Sequence, residues 1–250
     1  MSSQVVLKQG DCLEVMRTLP NKSVDMVLCD LPYGTTSCAW DAVIPFDPLW
    51  AQYKRIVKDG CAIVLTASQP FTSALVMSNP AWFKYEWIWK KNAGSNFGTV
   101  KYQPMKEHES VLVFGNGKVR YFPQMQERAE SGKRRVKTVV NYDTSTEIYG
   151  GKQLKQDGNL RPELRYPSSV QPFNRERGRH PTQKPVPLFE YLVRTYSQEG
   201  DVVLDNCLGS GTTAIACLNA KRKCIGIELN PVYFEAAKKR VSECESSSLW

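Results

Sequence analysis

The sequence predicts an α/β protein in which a doubly wound, mostly parallel sheet carries helices on its faces and a basic region is inserted between two halves. Two observations indicate this fold. Short apolar strands alternate with amphipathic helices over residues 5–115 and 186–241, and this alternation breaks between the two stretches. A chain of 250 residues with 42 % hydrophobic residues is long enough to bury one large core and still carry an insertion.

Five strands are predicted in the amino-terminal half, where short apolar runs are bounded by turn residues. They comprise residues 5–7, 24–29, 61–65, 85–89 and 110–114, the last two forming a late antiparallel hairpin. Asp47 and Pro48 predict the start of a helix, because aspartate caps helix N-termini and proline fits the first helical position. Asp59 and Gly60 predict the end of that helix, and residues 68–75 predict the next one.

The carboxyl-terminal half returns to the same alternation of helix and strand. The predicted elements are a helix over 188–196, a strand over 201–204, a helix over 212–219, a strand over 223–228 and a last helix ending near 241. The first of these is amphipathic, with apolar residues at helical spacing. Asn230 and Pro231 predict the start of the last helix.

Two compositional features indicate a soluble cytoplasmic protein. The longest clean apolar run, residues 61–65, is far shorter than the ~20 residues of a membrane helix, and the first residues lack an apolar secretory core.

The cysteine pattern argues against a metal site. None of the eight cysteines forms a CxxC pair, and the sequence has two histidines. We expect buried thiols at Cys29, Cys61 and Cys224, as suits a reducing compartment.

The net charge of +8 is concentrated in one segment. Residues 116–180 hold 14 basic and 7 acidic side chains, so nearly all the excess positive charge lies there. Such a field attracts a polyanion, and nucleic acid is the usual one. From charge alone, a solvated loop explains the segment equally well.

A glycine-rich turn follows a predicted strand at residues 204–214, which read LDNCLGSGTTA. Such a turn lets a ligand approach the N–H groups of the helix that follows, and Glu228, at the end of the next strand, can accept hydrogen bonds from ribose hydroxyls. Gly209, Gly211 and Glu228 also satisfy the dinucleotide fingerprint, so an NAD-dependent oxidoreductase is one interpretation. Asp205 favours S-adenosylmethionine, because its charge would repel a pyrophosphate and attract an ammonium or sulfonium group.

The sequence DLPYG follows a second buried strand at residues 30–34, where open parallel sheets bind ligands. Asp30 can accept a hydrogen bond from the exocyclic amine of a planar substrate. A backbone carbonyl at Leu31 or Pro32 can accept a second, and Tyr33 can stack on the ring. Two acceptors would aim the lone pair of the amine at an electrophile. By themselves, the same residues also suit an ordinary turn with an Asx hydrogen bond.

Together the motifs resemble those of the amino-methylating DNA methyltransferases that use S-adenosylmethionine. Residues 30–33 resemble the catalytic Asp-Pro-Pro-Tyr of that family, and residues 205–213 (DNCLGSGTT) resemble its cofactor motif. Residues 180–185 (HPTQKP) resemble the motif beside the methionine part of the cofactor. Gly10-Asp11-Cys12 resembles the family's adenosine-contacting acid and its neighbours.

The order of these motifs, catalytic tetrad first and cofactor turn last, is that of the family's β-type members. It implies a circularly permuted Rossmann-like methyltransferase fold, in which the strand from Val5 lies beside the strand that ends at Glu228. The resemblance divides the chain into a catalytic half (1–115), an inserted target-recognition region (116–178), a cofactor-binding half (179–245) and a tail (246–250).

The resemblance implies methyl transfer from S-adenosylmethionine to N6 of a flipped-out adenine in double-stranded DNA, without a covalent nucleophile. The implied catalytic residues are Asp30, Leu31, Pro32 and Tyr33. The implied cofactor ligands are Asp11, Cys12, Thr182, Lys184, Asp205, Leu208, Gly209, Gly211, Thr212, Thr213 and Glu228. The basic side chains expected to contact DNA are Lys133, Arg134, Arg135, Lys137, Arg175, Arg177 and Arg179.

Several alternatives stay open at the level of sequence. Aspartate at position 30 favours adenine within the family, and methylation of N4 of cytosine, of RNA or of a protein amide is the enzymatic alternative. A catalytically inactive DNA-binding protein is the alternative from another class. The family also allows a homodimer and a cognate restriction nuclease. Two departures from its pattern are Leu31 in place of proline and Asn206-Cys207 in place of Pro-Phe, where Leu208 or Leu31 can replace the missing aromatic.

Overall fold

A computed structural model of the chain describes residues 4–35, 41–130, 163–176 and 183–247. Its strands are β1 (Val5–Gln9), β2 (Val24–Asp30), β3 (Val57–Ala67), β4 (Phe83–Lys90), β5 (His108–Phe114), β6 (Gln126–Glu127), β7 (Leu164–Arg165), β8 (Val170–Pro172), β9 (Val202–Asp205) and β10 (Lys223–Glu228). Its helices are α1 (Cys12–Arg17), α2 (Phe46–Ile56), α3 (Phe71–Ser78), α4 (Val186–Tyr196), α5 (Thr212–Asn219) and α6 (Pro231–Ser247), with a 3₁₀ turn at Phe97–Thr99.

Eight of these strands form one sheet in the order β1-β10-β9-β2-β3-β5-β4-β8. Strand β5 runs antiparallel to both of its neighbours, β3 and β4, and the other pairings are parallel. The predicted mostly parallel α/β sheet with a late antiparallel hairpin is therefore confirmed.

The first and last strands of the chain pair with each other. Strand β1 lies parallel to β10, with Val5 opposite Cys224 and Gln9 opposite Glu228. This is the pairing that a circularly permuted sheet requires, because it joins the two ends of the sequence at one side of the sheet. The carboxyl ends of β1 and β10 consequently lie at the same edge as those of the strands beside them.

Two apolar cores lie on opposite faces of the sheet, and β2 contributes to both. Met26 and Leu28 pack into the core beneath α4, α5 and α6, whereas Val27 and Cys29 pack into the core beneath α1, α2 and α3. Strands covered on both faces are apolar along most of their length. This explains why the central strands read as continuous hydrophobic runs in the sequence.

Several predicted boundaries of helices and strands are wrong. Helix α2 begins at Phe46 after Pro45, and Pro48 lies within its first turn, where no backbone N–H is required. Asp59 and Gly60 lie inside β3, which begins at Val57 and is irregular in its register with β2. Helix α6 continues to Ser247 instead of ending near residue 241. The short helix α1, capped by Asp11, was not predicted.

A second compact unit comprises residues 123–168, and the sheet with its helices is formed by residues 1–122 and 169–250. Within the second unit β6 and β7 form an antiparallel pair, with Gln126 opposite Arg165. The predicted inserted region, 116–178, overlaps this unit, but most of it lies outside the described residues. In the described part of the chain, no helix has the length and apolar character needed to span a membrane.

Candidate active site

The candidate active site lies where strands β1, β10, β9, β2 and β3 end. Asp30 is the last residue of β2, Asp205 of β9 and Glu228 of β10. Because these strands are parallel neighbours, the three carboxyl groups share one edge of the sheet. The structure thus brings together the tetrad and the glycine-rich turn, which are about 175 residues apart in the sequence.

The carboxylate of Asp30 is held by three side chains from different segments of the chain. Its Oδ1 accepts hydrogen bonds from the Tyr33 hydroxyl, at 2.8 Å, and from the Thr66 hydroxyl on β3. Its Oδ2 accepts a hydrogen bond from Lys184 Nζ at 2.7 Å. Thr66 was not predicted as a site residue, and the sequence carries no signal for it except its place at the end of a buried strand.

The ring of Tyr33 packs inside the site. It stacks on Phe71 of α3 with ring centroids 5.2 Å apart, and Lys184 Nζ lies 5.4 Å from its centroid. Burial raises the pKa of the Tyr33 hydroxyl well above its ordinary value. The hydroxyl therefore stays protonated and can act as a donor to Asp30.

The loop after the tetrad is organised by Asp41, a buried residue that the sequence analysis missed. Its carboxylate accepts hydrogen bonds from the backbone N–H groups of Tyr33 at 2.8 Å, Gly34 at 3.0 Å and Thr35 at 2.9 Å. Three N–H groups bound to one carboxylate fix the course of the backbone. Leu31, the departure from the family pattern, is 3 % exposed and packs in the core beneath α1, α2 and α3.

Asp30 is the first of four charged side chains that are linked by ion pairs, the others being Lys184, Glu109 and Lys91. Lys184 Nζ lies 3.3 Å from Glu109 Oε2, and Glu109 Oε1 lies 2.5 Å from Lys91 Nζ. Burial by itself would raise the pKa of Glu109, but the two lysines bring it below its ordinary value. Burial would likewise lower the pKa of Lys184, but Asp30 and Glu109 raise it above the ordinary value. Neither Glu109 nor Lys91 was predicted as a site residue.

The glycine-rich turn is tied to the end of β10 by Glu228. Its Oε2 accepts a hydrogen bond from the N–H of Gly209 at 2.7 Å, and its Oε1 accepts one from the N–H of Asn230 at 2.8 Å. Gly211 has a φ of +85°, which favours glycine, and a Cβ there would lie 3.3 Å from Ala237. The turn therefore depends on Glu228 and on glycine for its shape.

Asp205 is 2 % exposed beneath this turn. Its carboxyl accepts hydrogen bonds from the Thr213 hydroxyl and, at 3.0 Å, from the N–H of Cys207. Burial raises the pKa of Asp205 to about 7. Asn206, where the family has proline, is also buried, and its Oδ1 accepts a hydrogen bond from Tyr53 of α2 at 2.5 Å.

The other predicted cofactor ligands occupy different positions around the turn. Asp11 caps α1 by accepting hydrogen bonds from the N–H groups of Leu13 and Glu14. Thr212 is buried and donates a hydrogen bond to the carbonyl oxygen of Lys184 at 3.3 Å. Cys12 and Leu208 are buried. Thr182 lies outside the described residues.

Of the residues predicted to contact DNA, Arg175 lies in the described part of the chain. Its Nη1 donates a hydrogen bond to the carbonyl oxygen of Gly94 at 3.1 Å, and its backbone N–H donates one to Asn92 Oδ1. Arg175 therefore braces the loop that follows β4. Lys133, Arg134, Arg135, Lys137, Arg177 and Arg179 lie outside the described residues.

The chain matches a known protein family and is similar to two Type II methyltransferases. Residues 24–239 match the N6/N4 methyltransferase family, described as DNA methylase. The chain is 27 % identical to the Type II methyltransferase M2.MboI of Moraxella bovis, over 94 % of this chain and 86 % of the relative. It is 27 % identical to M1.MboII of the same organism, over 96 % of this chain and 97 % of the relative.

Two solved structures show the same fold. The crystal structure of an M1.HpyAVI–SAM complex has a TM-score of 0.62 at 23 % identity, with 94 % of this chain and 99 % of that chain covered. The PvuII DNA methyltransferase, named as cytosine-N4-specific, has a TM-score of 0.68 at 14 % identity, with 98 % of this chain and 93 % of that chain covered.

Proposed function

Because this chain belongs to the N6/N4 DNA methylase family, as the match over residues 24–239 shows, we propose that it transfers a methyl group from S-adenosylmethionine to N6 of adenine in double-stranded DNA. The observation that carries the proposal is the Asp30 carboxylate at the end of β2, fixed by three donors. It lies at the same sheet edge as the glycine-rich turn. The arrangement places a hydrogen-bond acceptor for an amine next to a candidate cofactor site.

The residues at the turn fit S-adenosylmethionine. A Cβ built on Gly209 meets nothing within 4 Å, so the turn borders open space. Glu228 has acceptor capacity beyond its two backbone hydrogen bonds and suits ribose hydroxyls. Asp205, buried beneath the turn, can attract a cationic group electrostatically when it is ionised. When bound, the cofactor supplies a methyl group already activated by its sulfonium.

The residues of this chain would then act mainly by positioning. Asp30 would accept a hydrogen bond from the adenine amine, and the backbone carbonyl of Leu31 or Pro32 would accept the second. These contacts would direct the nitrogen lone pair towards the methyl group, which is the alignment that an in-line displacement needs. The adenine must leave the duplex to reach Asp30, and Tyr33 is proposed to contact the extruded base.

The proposed base is adenine, and the reaction product identifies it directly. Incubation with methyl-labelled S-adenosylmethionine and double-stranded DNA should place the label in N6-methyl-2′-deoxyadenosine after digestion to nucleosides. DNA of the same composition without added protein is the control. Label in N4-methylcytosine would overturn the adenine assignment, and preferential labelling of RNA in a competition would overturn the choice of DNA.

The raised pKa of Asp205 predicts a pH dependence for cofactor binding. Burial raises this pKa to about 7, so the carboxyl is protonated at lower pH and cannot attract a cation. The Kd of S-adenosylmethionine should rise by about tenfold for each pH unit below 7 and level off above it. Isothermal titration calorimetry in several buffers measures this, and binding at low pH should release a proton.

Asp205→Asn is the matched variant for that measurement, because it keeps the shape and removes the titration. Its Kd should be independent of pH over the same range. A Kd for the unmodified protein that does not change with pH would contradict a role of Asp205 in holding the cofactor.

The raised pKa of Asp205 also affects folding stability. Its effect has the opposite sign to that of a carboxylate whose pKa is lowered by an ion pair. The free energy of unfolding should fall as pH rises from about 4 to about 7, because charging this buried group costs energy.

The basic segment supports DNA as the partner. Residues 116–180 carry most of the +8 net charge, and phosphate contacts from such a segment would position a duplex without selecting its sequence. Lys133, Arg134, Arg135, Lys137, Arg175, Arg177 and Arg179 remain predicted contributors. A homodimer and a cognate restriction nuclease also remain predictions.

A further inference from the structure

We propose that Glu109 is a positioning residue for methyl transfer. With Lys91 on its far side, it holds Lys184 against Asp30, so that one oxygen of Asp30 faces the substrate amine. This inference rests on the proposed function, because it concerns the orientation of the same carboxylate. It also assigns Lys184 to Asp30 instead of to the cofactor.

Asp30 has limited capacity to accept hydrogen bonds. A carboxylate oxygen has two lone-pair directions, which gives the group about four acceptor sites. On Oδ1, both are directed at hydroxyl donors, those of Tyr33 and Thr66. On Oδ2, one is directed at Lys184 Nζ at 2.7 Å. The site left for a substrate amine is therefore on Oδ2, beside the ammonium group of Lys184.

Because Lys184 binds Oδ2, its position determines how this oxygen is oriented. Its side chain is 7 % exposed, and its ammonium group lies between two carboxylates, Asp30 at 2.7 Å and Glu109 at 3.3 Å. A flexible lysine side chain loses rotamer freedom when it is fixed. The ion pair with Glu109 gives Lys184 a second carboxylate partner and limits its movement.

Lys91 completes the arrangement by compensating Glu109. Its side chain is 4 % exposed, its Nζ lies 2.5 Å from Glu109 Oε1, and it lies over the Trp89 ring. The four groups alternate in sign, from Lys91 through Glu109 and Lys184 to Asp30, and sum to zero. Buried charges are tolerated when they are paired in this way, and removing one member leaves its partners uncompensated.

The principal test is Glu109→Gln in the full-length protein. The variant keeps the size of the side chain but removes the charge that holds Lys184. We expect kcat for DNA methylation to fall by about 100-fold, because small displacements of a reacting group have effects of that size. The Kd of S-adenosylmethionine and the KM for DNA should change less than about twofold. Glu235→Gln, the same substitution in an exposed ion pair with Lys238 on α6, is the matched control and should retain full activity.

A pH profile separates positioning from a general loss of structure. The groups that face Lys184 are Asp30, Glu109, Lys91 and the Tyr33 ring. Without Glu109, burial of Lys184 is opposed by Asp30 alone, so its pKa should fall. The alkaline limb of the kcat profile should move to lower pH, and the ¹⁵N signal of Lys184 Nζ should titrate earlier than in the unmodified protein. A profile that coincides with that of the unmodified protein would overturn the inference.

Two further variants distinguish a positioning role of Glu109 from a role in protein stability alone. Glu109→Asp should partly restore kcat, because it restores the charge at a longer distance. The double variant K91M/E109Q removes the uncompensated Lys91 charge and should regain thermal stability while kcat stays low. Recovery of kcat in the double variant would mean that Glu109 serves stability alone. Failure of the unmodified protein to label DNA would refute the proposed function, whereas the Lys184 titration would still decide whether Glu109 holds Lys184.

Discussion

Replacing Asp30 with asparagine should reduce kcat on DNA by about 10³-fold, the size of effect seen when one group that stabilises a transition state is removed. An amide can direct its NH₂ at donors that need an acceptor, and it cannot balance the charge of Lys184. The three donors that now fix the group would lose their shared partner. Single-turnover methylation with labelled cofactor measures the effect on the chemical step.

The same variant should bind S-adenosylmethionine within a few-fold of the original affinity, because Asp30 is assigned to the substrate amine. Asp30→Ala should behave alike, with no turnover and retained cofactor binding. Asp59→Asn is the control. It also removes one carboxylate charge, but from an exposed ion pair with Lys22 at the opposite end of β3. If cofactor binding were lost together with activity, Asp30 would be a structural residue and the mechanism would need another acceptor.

The second large effect is expected at Glu228, where Glu228→Ala should weaken S-adenosylmethionine binding by about 100-fold. The carboxylate fixes the N–H groups of Gly209 and Asn230, and hydrogen bonds to a charged group contribute ~1.5–3 kcal/mol each. The variant would lose a hydrogen bond that fixes the turn, or a hydrogen bond to a ribose hydroxyl of the cofactor. The loss of one such hydrogen bond corresponds to an increase in Kd of about 100-fold. Titration calorimetry measures it directly.

Glu235→Ala is the matched control for this prediction. Glu235 lies on α6 close to Glu228 in the sequence, but it forms an exposed pair with Lys238, and such pairs contribute little. The control should bind cofactor normally. Unchanged binding in Glu228→Ala would exclude the end of β10 from the cofactor site. A decline in kcat without a change in Kd would place Glu228 in the chemical step instead.

The sequence predicted the central fold well, because apolar runs covered on both faces and glycine-rich turns are local signals. The tetrad at the end of β2 and the turn after β9 stand out for the same reason. Glu109 was visible only as an acid ahead of a strand, which is the usual appearance of a surface residue. Its burial and its contacts with Lys91 and Lys184 depend on pairings between distant segments, which the sequence does not display.

Asn206 illustrates a similar limit. It departs from the family motif, in which proline and phenylalanine occupy positions 206 and 207. The structure gives the residue a partner, because Tyr53 of α2 donates a 2.5 Å hydrogen bond to its buried amide oxygen. A buried polar group needs such a partner. Tyr53 and Asn206 are 153 positions apart in the sequence. The periodicity of the sequence therefore does not predict the hydrogen bond between them.

The pairing of β1 with β10 also has a consequence for how the protein is made. During synthesis β1 is made early, but its partner strand β10 is made some 220 residues later. The pairing at this side of the sheet can therefore form only when most of the chain has been synthesised. Asp30 is likewise translated long before Lys184 and Asp205. A nascent or truncated chain therefore contains an incomplete site. On the proposed function, we expect DNA methylation to begin only after β10 has been made and has paired with β1.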